Sequence, residues 1–400
     1  MKENSRMFLL VLLGMLTAFG PFVTDMYLPS LPAMGDYFDT TSSIVQLGLT
    51  TSMIGLAGGQ ILFGPLSDRY GRRLPLLVAM WLFLFSTLLC LFAQNIEQFV
   101  AYRLVQGVAG AGGIVISRSV ATDKYSGKEL AKMLAVIGAI NGVAPVVAPV
   151  IGGVFTEIIG WQGIFCILLG LGLILLVGSY FFRESLPKKD RRVTRWSDTF
   201  RSFKVVLQDR QYVLYTLQMA FAQGVLFAYI ASSPFIVQQH YGFSALGFSF
   251  CFAVNAVAIG VAAALSVKFH RTVSCTLTGC LGMMIAAVGE CVALMSGCSF
   301  WMYELLLLVL LFMMGMTFTS TTTLAMECQR DNAGTASALL GAVCFASGGI
   351  VSPLVGIGNI LTSTGIIFVV SALCSLSCIL LALGRRRTRL YFAFSTSQKR

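Results

Sequence analysis

The stretch GPLSDRYGRRL, residues 64–74, stands between two long apolar segments and carries three arginines and one aspartate. Glycines at both of its ends permit a tight turn, and an aspartate can cap a helix end or pair with an arginine. A role limited to holding the loop on one side of a membrane would account for the arginines alone. The string therefore predicts a short, structured connection between two membrane helices, with five candidate gating residues: Gly64, Asp68, Arg69, Gly71 and Arg72.

Outward from this loop the chain consists largely of apolar segments. It has 400 residues, of which 56% are hydrophobic and 11% charged, and this charge content is too low for a soluble protein of that length. A membrane helix needs about 20 apolar residues. Twelve candidate spans can be drawn, at about residues 7–29, 42–66, 74–93, 98–119, 132–155, 161–182, 211–236, 243–266, 273–296, 301–326, 335–359 and 363–384.

The positive charges predict an orientation for these spans. When the twelve segments are threaded alternately through a bilayer, all of the 28 Lys and Arg residues except Arg103 fall on the side of the two termini. The positive-inside rule makes that side the cytoplasm. The net charge of +11 then reflects membrane topology, and no nucleic-acid partner is expected. The loops of the other side carry only acidic charges, on Asp36, Asp39, Glu97, Glu157 and Glu304.

One long polar stretch, residues 183–210, divides the chain evenly. Many secondary transporters consist of two such halves, with the substrate site between them near the middle of the membrane. The sequence therefore predicts an all-α integral membrane protein of two six-helix bundles. The predicted units are an N-terminal bundle (1–182), a basic cytoplasmic linker (183–210), a C-terminal bundle (211–384) and a basic cytoplasmic tail (385–400).

Two charged residues need an explanation of their own. Arg103 stands inside the fourth span, where a guanidinium costs roughly 2.5–3.5 kcal/mol at mid-depth, so it should face a cavity or an acid. Snorkelling to the nearby outer interface is the alternative. Asp25 closes the first span, where it can either cap or pair structurally or exchange a proton in a cavity. Pro29 and Pro32 are expected to terminate this helix.

Several strings resemble the major facilitator superfamily. Residues 64–74 match its signature loop almost position for position, and Arg103 to Gly107 (RLVQG) resembles its RxxQG motif. The string DMYLPSLP, residues 25–32, narrows the resemblance to the bicyclomycin and chloramphenicol resistance (Bcr/CflA) subfamily of drug:proton antiporters. NGVAPVVAPVIGG, residues 141–153, is similar to the antiporter motif that ends GPxxGG, and AGTASA, residues 333–338, again resembles this group. The antiporter motif residues are Pro145, Pro149, Gly152 and Gly153.

The chain also departs from the family pattern in three places. Ala148 replaces a glycine of the antiporter motif, which is a change from one small residue to another. TDKY, residues 122–125, stands where the subfamily often has Arg-Asp-x-Tyr, and Arg118 one helical turn earlier can take over the lost charge. Distant multidrug relatives carry a second acid in the first helix, in the region that Thr17 occupies here. The first span therefore offers one acid, Asp25.

The resemblance implies a proton-coupled antiporter that exports small amphipathic drugs, similar to chloramphenicol or bicyclomycin, by alternating access. It further implies a multi-pass protein of the bacterial inner membrane, with both termini cytoplasmic, that works as a monomer in contact with lipid, drug and protons. Asp25 and Arg103 are the candidates for proton coupling. The candidates for substrate binding combine amide and aromatic groups, as a broad drug pocket requires, although each could equally pack between helices: Tyr27, Gln106, Asn141, Gln218, Phe221, Gln223, Phe227 and Tyr229.

Other functions remain to be weighed against drug export. A carrier for a metabolite such as an amino acid or a sugar is the main alternative, because the signature loop permits it equally. Glu290, the other acid within a span, could serve either structure or coupling. An enzyme is not expected, since the two histidines, His240 and His270, lie in loops on opposite sides. No cofactor and no metal are expected, because the sequence has neither a phosphate-binding loop nor a metal-like spacing of its cysteines.

Overall fold

The computed structural model describes residues 4–191, 196–269, 271–329 and 332–397. His270 and part of the basic linker lie outside the described residues. So do the side chains of Asn141 and of the predicted tail from residue 385 onward.

Within the described ranges, the regular structure is helical throughout. The thirteen α-helices are α1 (Arg6–Asp25), α2 (Leu31–Tyr37), α3 (Ser42–Tyr70), α4 (Arg73–Leu91), α5 (Ile96–Lys124), α6 (Gly127–Phe181), α7 (Trp196–Gln208), α8 (Arg210–Phe235), α9 (Ala245–Ser266), α10 (Thr272–Met295), α11 (Phe300–Cys328), α12 (Ala333–Val355) and α13 (Ile360–Ser397). Short 3₁₀ turns at Leu28–Ser30 and Lys188–Asp190 and a π turn at Ile236–His240 complete the described helical segments.

The predicted fold class is confirmed, with one helix that crosses twice. Eleven segments of the described chain are long and apolar enough to span a membrane, and one of them, Lys132–Phe181, has 50 residues. Gly160 interrupts α6 at φ 67° and ψ −175°, a conformation that glycine adopts without steric cost. The break divides this segment into the two predicted spans 132–155 and 161–182, so the helices agree with twelve crossings.

Two helix boundaries differ from the prediction. The helix α1 ends at Asp25, and Pro29 and Pro32 lie in the first turns of the next two helical segments instead of terminating α1. A helix start suits proline because the N–H that proline lacks has no partner there. The helix α3 continues through Pro65 to Tyr70, since membrane helices accommodate proline by local adjustment. The predicted loop therefore shrinks to a turn at Gly71, whose φ is 89°.

Two sets of helix ends define two faces of the bundle. On the termini face, Asn4 Nδ2 donates to the Arg183 carbonyl at 2.8 Å, so the start of the chain meets the end of α6. The turns that follow α1, α4, α8, α10 and α12, together with the break at Gly160, form the opposite face. The first half of the chain (α1–α6) packs against the second half (α8–α13) mainly through α3 against α12 and α6 against α9.

Four of the five acids predicted for the outer loops lie in helices, and one of the four, Glu304, is drawn in among them; Asp36, Glu97 and Glu157 are exposed. Glu304 lies in the second turn of α11, where Asn255 Nδ2 donates to its Oε1 at 2.8 Å. The helix begins at Phe300, four residues before Glu304, so the carboxyl group packs among helices of the second half.

Candidate functional site

Asp25 ends α1 of the first half and lies within electrostatic reach of Tyr229 of α8, so it is near the junction of the two halves. Its side chain is 6% exposed, and the neighbouring Thr24 Oγ1 donates to its Oδ1 at 2.7 Å. The chain then turns, and the carbonyl of Met26 packs directly on Gly152 of α6, where an added Cβ would come within 1.8 Å of that oxygen. A glycine is required here because α1 and α6 touch through their backbones.

Arg103 is held inside the first half. It has no exposed surface, so it does not snorkel to the interface. Its Nη2 donates to the Val23 carbonyl of α1 at 3.1 Å and its Nε to the Gly48 carbonyl of α3 at 3.3 Å. Its Nη1 donates to Gln106 Oε1 at 2.5 Å. The guanidinium therefore ties three helices together through charge-assisted hydrogen bonds.

The two proton-coupling candidates are connected through an aromatic ring. Among the ion pairs of the described residues, none joins Asp25 to Arg103. The guanidinium carbon of Arg103 instead lies 4.3 Å from the ring centre of Tyr27, in cation–π contact. Tyr27 is fully buried and within electrostatic reach of both Arg103 and Asp25. The structure thus brings the two residues to one region without a direct contact.

The substrate-binding candidates fall into two groups. Gln106 and Gln218 form the first group, and each makes hydrogen bonds within its own half. Gln106 Nε2 donates to Thr87 Oγ1 at 2.7 Å, and Gln218 Nε2 donates to Ser375 Oγ at 3.0 Å. Gln218 Oε1 also accepts from Thr321 Oγ1 at 2.5 Å. These amides are satisfied by protein, so they hold helices together.

The second group lies on α8, whose Phe227 and Tyr229 approach the first half. Phe227 of α8 packs against Gly348 of α12, and the Met53 sulfur of α3 lies beside the same glycine. Gln223, one turn earlier on α8, is buried, and its Oε1 has no hydrogen-bond partner within the described structure. Phe221 is half-buried on the same helix. Tyr229 is buried and stacked on Phe252, with ring centres 5.2 Å apart.

A charge cluster organises the termini face. Arg72 Nη1 donates to Asp68 Oδ1 at 2.5 Å, and its Nε donates to Asp123 Oδ2 at 2.8 Å. The backbone N–H of Arg72 donates to Glu184 Oε1 at 2.8 Å. Burial lowers the pKa of Arg72, but its bonds to Asp123 and Asp68 outweigh this effect, so the pKa lies above its usual value. The cluster joins α3, α5 and the segment after α6, all within the first half.

The remaining gating candidates have different surroundings. At Gly71, an added Cβ would come within 2.4 Å of Glu184 Oε2, so both its positive φ and its neighbours require glycine. Gly64 has open space around it. Arg69 is exposed and lies over the Tyr70 ring at 5.3 Å.

The sequence interpretation did not identify Asp123 and Glu184 as members of this cluster. Asp123 pairs with Arg72, whereas the sequence favoured Arg118 as the source of a compensating charge. The TDKY string already contained the signal, because it keeps the aspartate of the family pattern. Glu184 lies in the run of charged residues after the sixth span, and such a run does not single out one member.

The antiporter motif lies where both halves meet. Gly153 faces α9, and an added Cβ there would come within 2.2 Å of Ser249 Oγ and 2.8 Å of the Ala245 carbonyl. Pro149 lies about one turn earlier in α6 and Pro145 about two turns earlier. Close packing of α6 on α1 and α9 is therefore the structural role of the two glycines.

Within the described ranges, four hydrogen bonds join the halves at the opposite face. Gln46 Nε2 donates to the Ala231 carbonyl at 3.1 Å, and Gln238 Nε2 donates to the Pro29 carbonyl at 3.1 Å. The Leu246 N–H donates to Glu157 Oε1 at 3.1 Å, and Ser43 Oγ donates to the Gly356 carbonyl. Each of these contacts must break if this face opens.

The contact at Gly152 leads to a stability prediction. Gly152→Ala is expected to lower stability by about 1–3 kcal/mol, because the methyl group would push α6 away from the Met26 carbonyl. Thermal unfolding of the purified protein in detergent measures this change. Gly142→Ala is the matched control, since nothing lies within 4 Å of its added Cβ. Equal unfolding temperatures for the two variants would contradict the close contact.

Membrane-length helices arranged in two halves are the architecture of many secondary transporters. The chain belongs to the major facilitator superfamily, whose family model matches residues 10–353.

Similar proteins agree with the predicted family. The chain is 37% identical over 365 residues to an uncharacterised transporter of this superfamily, YdgK of Bacillus subtilis, covering 89% of this chain and 90% of the relative. It is 29% identical to a bicyclomycin resistance protein homolog of Haemophilus influenzae, covering 93% and 94% of the two chains. A chloramphenicol resistance protein of Pseudomonas aeruginosa is 30% identical over 59% of this chain and 55% of its own. Two drug-resistance relatives thus bear out the predicted subgroup.

Solved structures bear out the fold alone. A D-xylose-proton symporter superposes with a TM-score of 0.73 at 18% identity, covering 93% of this chain and 97% of the symporter. A bacterial homolog of the human lysosomal transporter Spinster, solved in an inward-facing and unoccupied conformation, gives a TM-score of 0.71 at 16% identity. This second match covers 95% of this chain and 96% of the other.

Proposed function

We propose that this transporter is a proton-coupled antiporter that exports small amphipathic drugs of the chloramphenicol or bicyclomycin kind. The observation that carries the proposal is the place of Asp25, a buried carboxyl at the junction of the halves without an ion-pair partner among the described residues. Such a group can bind a proton or a drug and release it. The drug-resistance names of two relatives support the choice of substrate.

Alternating access provides the mechanism. Residues 1–182 rock against residues 211–400 around the site, while residues 183–210 link the two units on the cytoplasmic side. The closed opposite face supports a site that opens toward the termini face. Protonation of Asp25 from outside would expel the drug, and loss of the proton to the inside would reset the carrier.

This mechanism assigns a role to each residue of the site. Gln223, Phe227 and Tyr229 contact the drug from the second half, and Asp25 and Tyr27 lie opposite them, while Arg103 positions Tyr27.

The protein crosses the bacterial inner membrane with both termini in the cytoplasm, as its positive charges indicate. One chain encloses the site in this fold, so the functional unit is a monomer.

Everted membrane vesicles test the proposed function. In energised vesicles that contain the protein, chloramphenicol should release lumenal protons, read with a pH-sensitive dye, because each drug molecule that enters exchanges with protons. Vesicles without the protein are the control. A response to a sugar or an amino acid, together with none to any amphipathic drug, would leave a metabolite carrier as the function.

The charge cluster of the termini face yields a further prediction. Arg72→Gln is expected to lower drug transport and to cost roughly 1.5–3 kcal/mol of stability, the value of a hydrogen bond to a charged group. Arg69→Gln changes an equal charge three residues away, on an exposed side chain, and should have little effect on either quantity. Transport assays in vesicles and unfolding in detergent measure both. Similar losses in the two variants would contradict a specific role for the cluster.

A further inference from the structure

A second group of acids lies in the second half, away from Asp25. Glu290 of α10 is fully buried, and neither of its carboxyl oxygens has a hydrogen-bond partner within the described structure. Glu304 of α11 lies within electrostatic reach of it, and Glu304 Oε2 is also buried without a partner. The ion pairs of the described residues include neither acid. Two carboxyl groups therefore share an apolar region without a cation.

Asn255 of α9 is the third member of this group. It is fully buried, its Nδ2 donates to Glu304 Oε1 at 2.8 Å, and its Oδ1 has no partner. The cluster of Glu290, Glu304 and Asn255, here named the acidic cluster, thus holds four buried acceptor oxygens without a donor. A proton on each carboxyl group would supply two donors and remove the buried negative charges.

A polar connection leads from the acidic cluster to the junction of the halves. Asn255 Nδ2 also lies 3.4 Å from the Tyr229 hydroxyl, and Tyr229 is within electrostatic reach of both Glu304 and Asp25. Tyr229 is thus near both the acid of the first half and an acid of the second. A hydroxyl group can accept one proton and donate another, so this side chain can relay a proton.

The surroundings of the acidic cluster contain few other ionisable groups. Tyr229 faces it from α8 and Cys251 from α9, while Cys291 lies beside Glu290 on α10. Tyr303 of α11 is within reach of both acids, and Tyr241 approaches Glu290 from the opposite face. The helix α13 contributes Gly365 beside Cys291. All of the ionisable side chains among these neighbours are neutral or negative, so a proton is what can balance the two acids.

We propose that Glu290 and Glu304 form a second proton-carrying site, connected to Asp25 through Asn255 and Tyr229. One carboxyl group of the cluster gives its proton to the Tyr229 hydroxyl as that hydroxyl gives its own proton to the ionised carboxyl group of Asp25. The Asn255 amide keeps its hydrogens in this step and holds Glu304 beside Tyr229. This role extends the proposed antiport and rests on it for the direction of proton flow. The occupancy of the site by protons does not depend on the drug.

Infrared spectroscopy of the purified protein without substrate tests the occupancy. At neutral pH, the carbonyl stretch of protonated carboxylic acids should be present in the parent and should shift when H₂O is exchanged for D₂O. Glu290→Gln and Glu304→Gln should each reduce this band. Glu97→Gln, which removes an exposed acid of α5, should leave it unchanged. A band that neither cluster variant reduces, or one that does not shift in D₂O, would overturn the proposal.

Transport stoichiometry tests the relay. In proteoliposomes, the number of protons exchanged per drug, obtained from the pH gradient that just balances a drug gradient, should fall in Glu290→Gln. It should also fall in Tyr229→Phe, which keeps both acids and therefore the infrared band. An unchanged ratio in both variants would overturn the relay. A rise in unfolding temperature caused by Na⁺ at constant pH, and abolished by Glu290→Gln, would assign a cation and overturn the proton site.

The two experiments separate this inference from the proposed function. If no drug drives proton movement in the parent, the antiport proposal fails, while the infrared band still decides whether the acidic cluster holds protons. If the drug response is present and the band is absent, only the second site fails.

Discussion

Asp25→Asn is expected to abolish drug transport driven by a pH gradient in proteoliposomes and drug resistance in cells that produce the protein. The amide has nearly the shape of the carboxyl group but cannot bind or release a proton in the physiological range. The hydrogen bond from Thr24 Oγ1, 2.7 Å long in the parent, can be made to the amide oxygen, so the fold should be retained. Transport should fall to the level of empty vesicles, with an unfolding temperature close to that of the parent.

Asp36→Asn is the matched control for this prediction. Asp36 is an acid of α2 near the same face, but its side chain is exposed. This variant should transport like the parent because an exposed carboxyl has no place in the proton path. Full gradient-driven transport by Asp25→Asn would contradict the role given to Asp25.

Arg103→Met is expected to have the second largest effect, and on stability as well as transport. It removes the hydrogen bonds to the Val23 and Gly48 carbonyls, which leaves two buried acceptors without partners at roughly 1–3 kcal/mol each. It also removes the cation that lies 4.3 Å from the Tyr27 ring. The loss of this tie between α1 and α3 should lower the unfolding temperature and displace Tyr27 from the site.

Arg103→Lys separates charge from geometry. Lysine keeps the positive charge but not the planar fork, so it can satisfy only part of the present set of partners. Its stability should lie between those of the parent and Arg103→Met, with transport still impaired. If Arg103→Lys matched the parent in both stability and transport, charge alone would matter at this position.

Much of the fold could be predicted because membrane spans require long apolar segments, and their orientation requires positive charge on one side. Long apolar runs, one-sided positive charge and the single polar stretch at residues 183–210 indicate spans and division without any knowledge of packing. The sequence predicts two spans in this region, and the structure has one long helix, α6, which is interrupted only at Gly160. The end of α3 was not predicted, because Pro65 and Gly64 are typical of loops in soluble proteins but are tolerated in membrane helices.

The site was predictable at single residues and much less so in its contacts. Arg103 and Asp25 stood out because charges within spans are costly. The contact of Tyr27 with Arg103 depends on how the chain turns after α1, and local sequence does not determine that turn. Gln106 and Gln218 look like pocket residues in sequence, yet partners on distant helices satisfy them.

The acidic cluster shows why the remainder could not be predicted. Tyr229, Asn255, Glu290 and Glu304 come from four different helices, and only their packing brings them together. Glu304 was assigned to a loop because it stands close to the start of its span, where helix boundaries are least certain.

Proton release upon drug binding tests the central claim most directly. Purified protein in weakly buffered detergent solution near neutral pH would be mixed with chloramphenicol while a pH indicator records the proton concentration. If proton and drug compete at Asp25, binding to the parent releases protons into solution, and Asp25→Asn releases none. Drug binding to the parent, measured by calorimetry under the same conditions, without any proton release would contradict coupling through this carboxyl group.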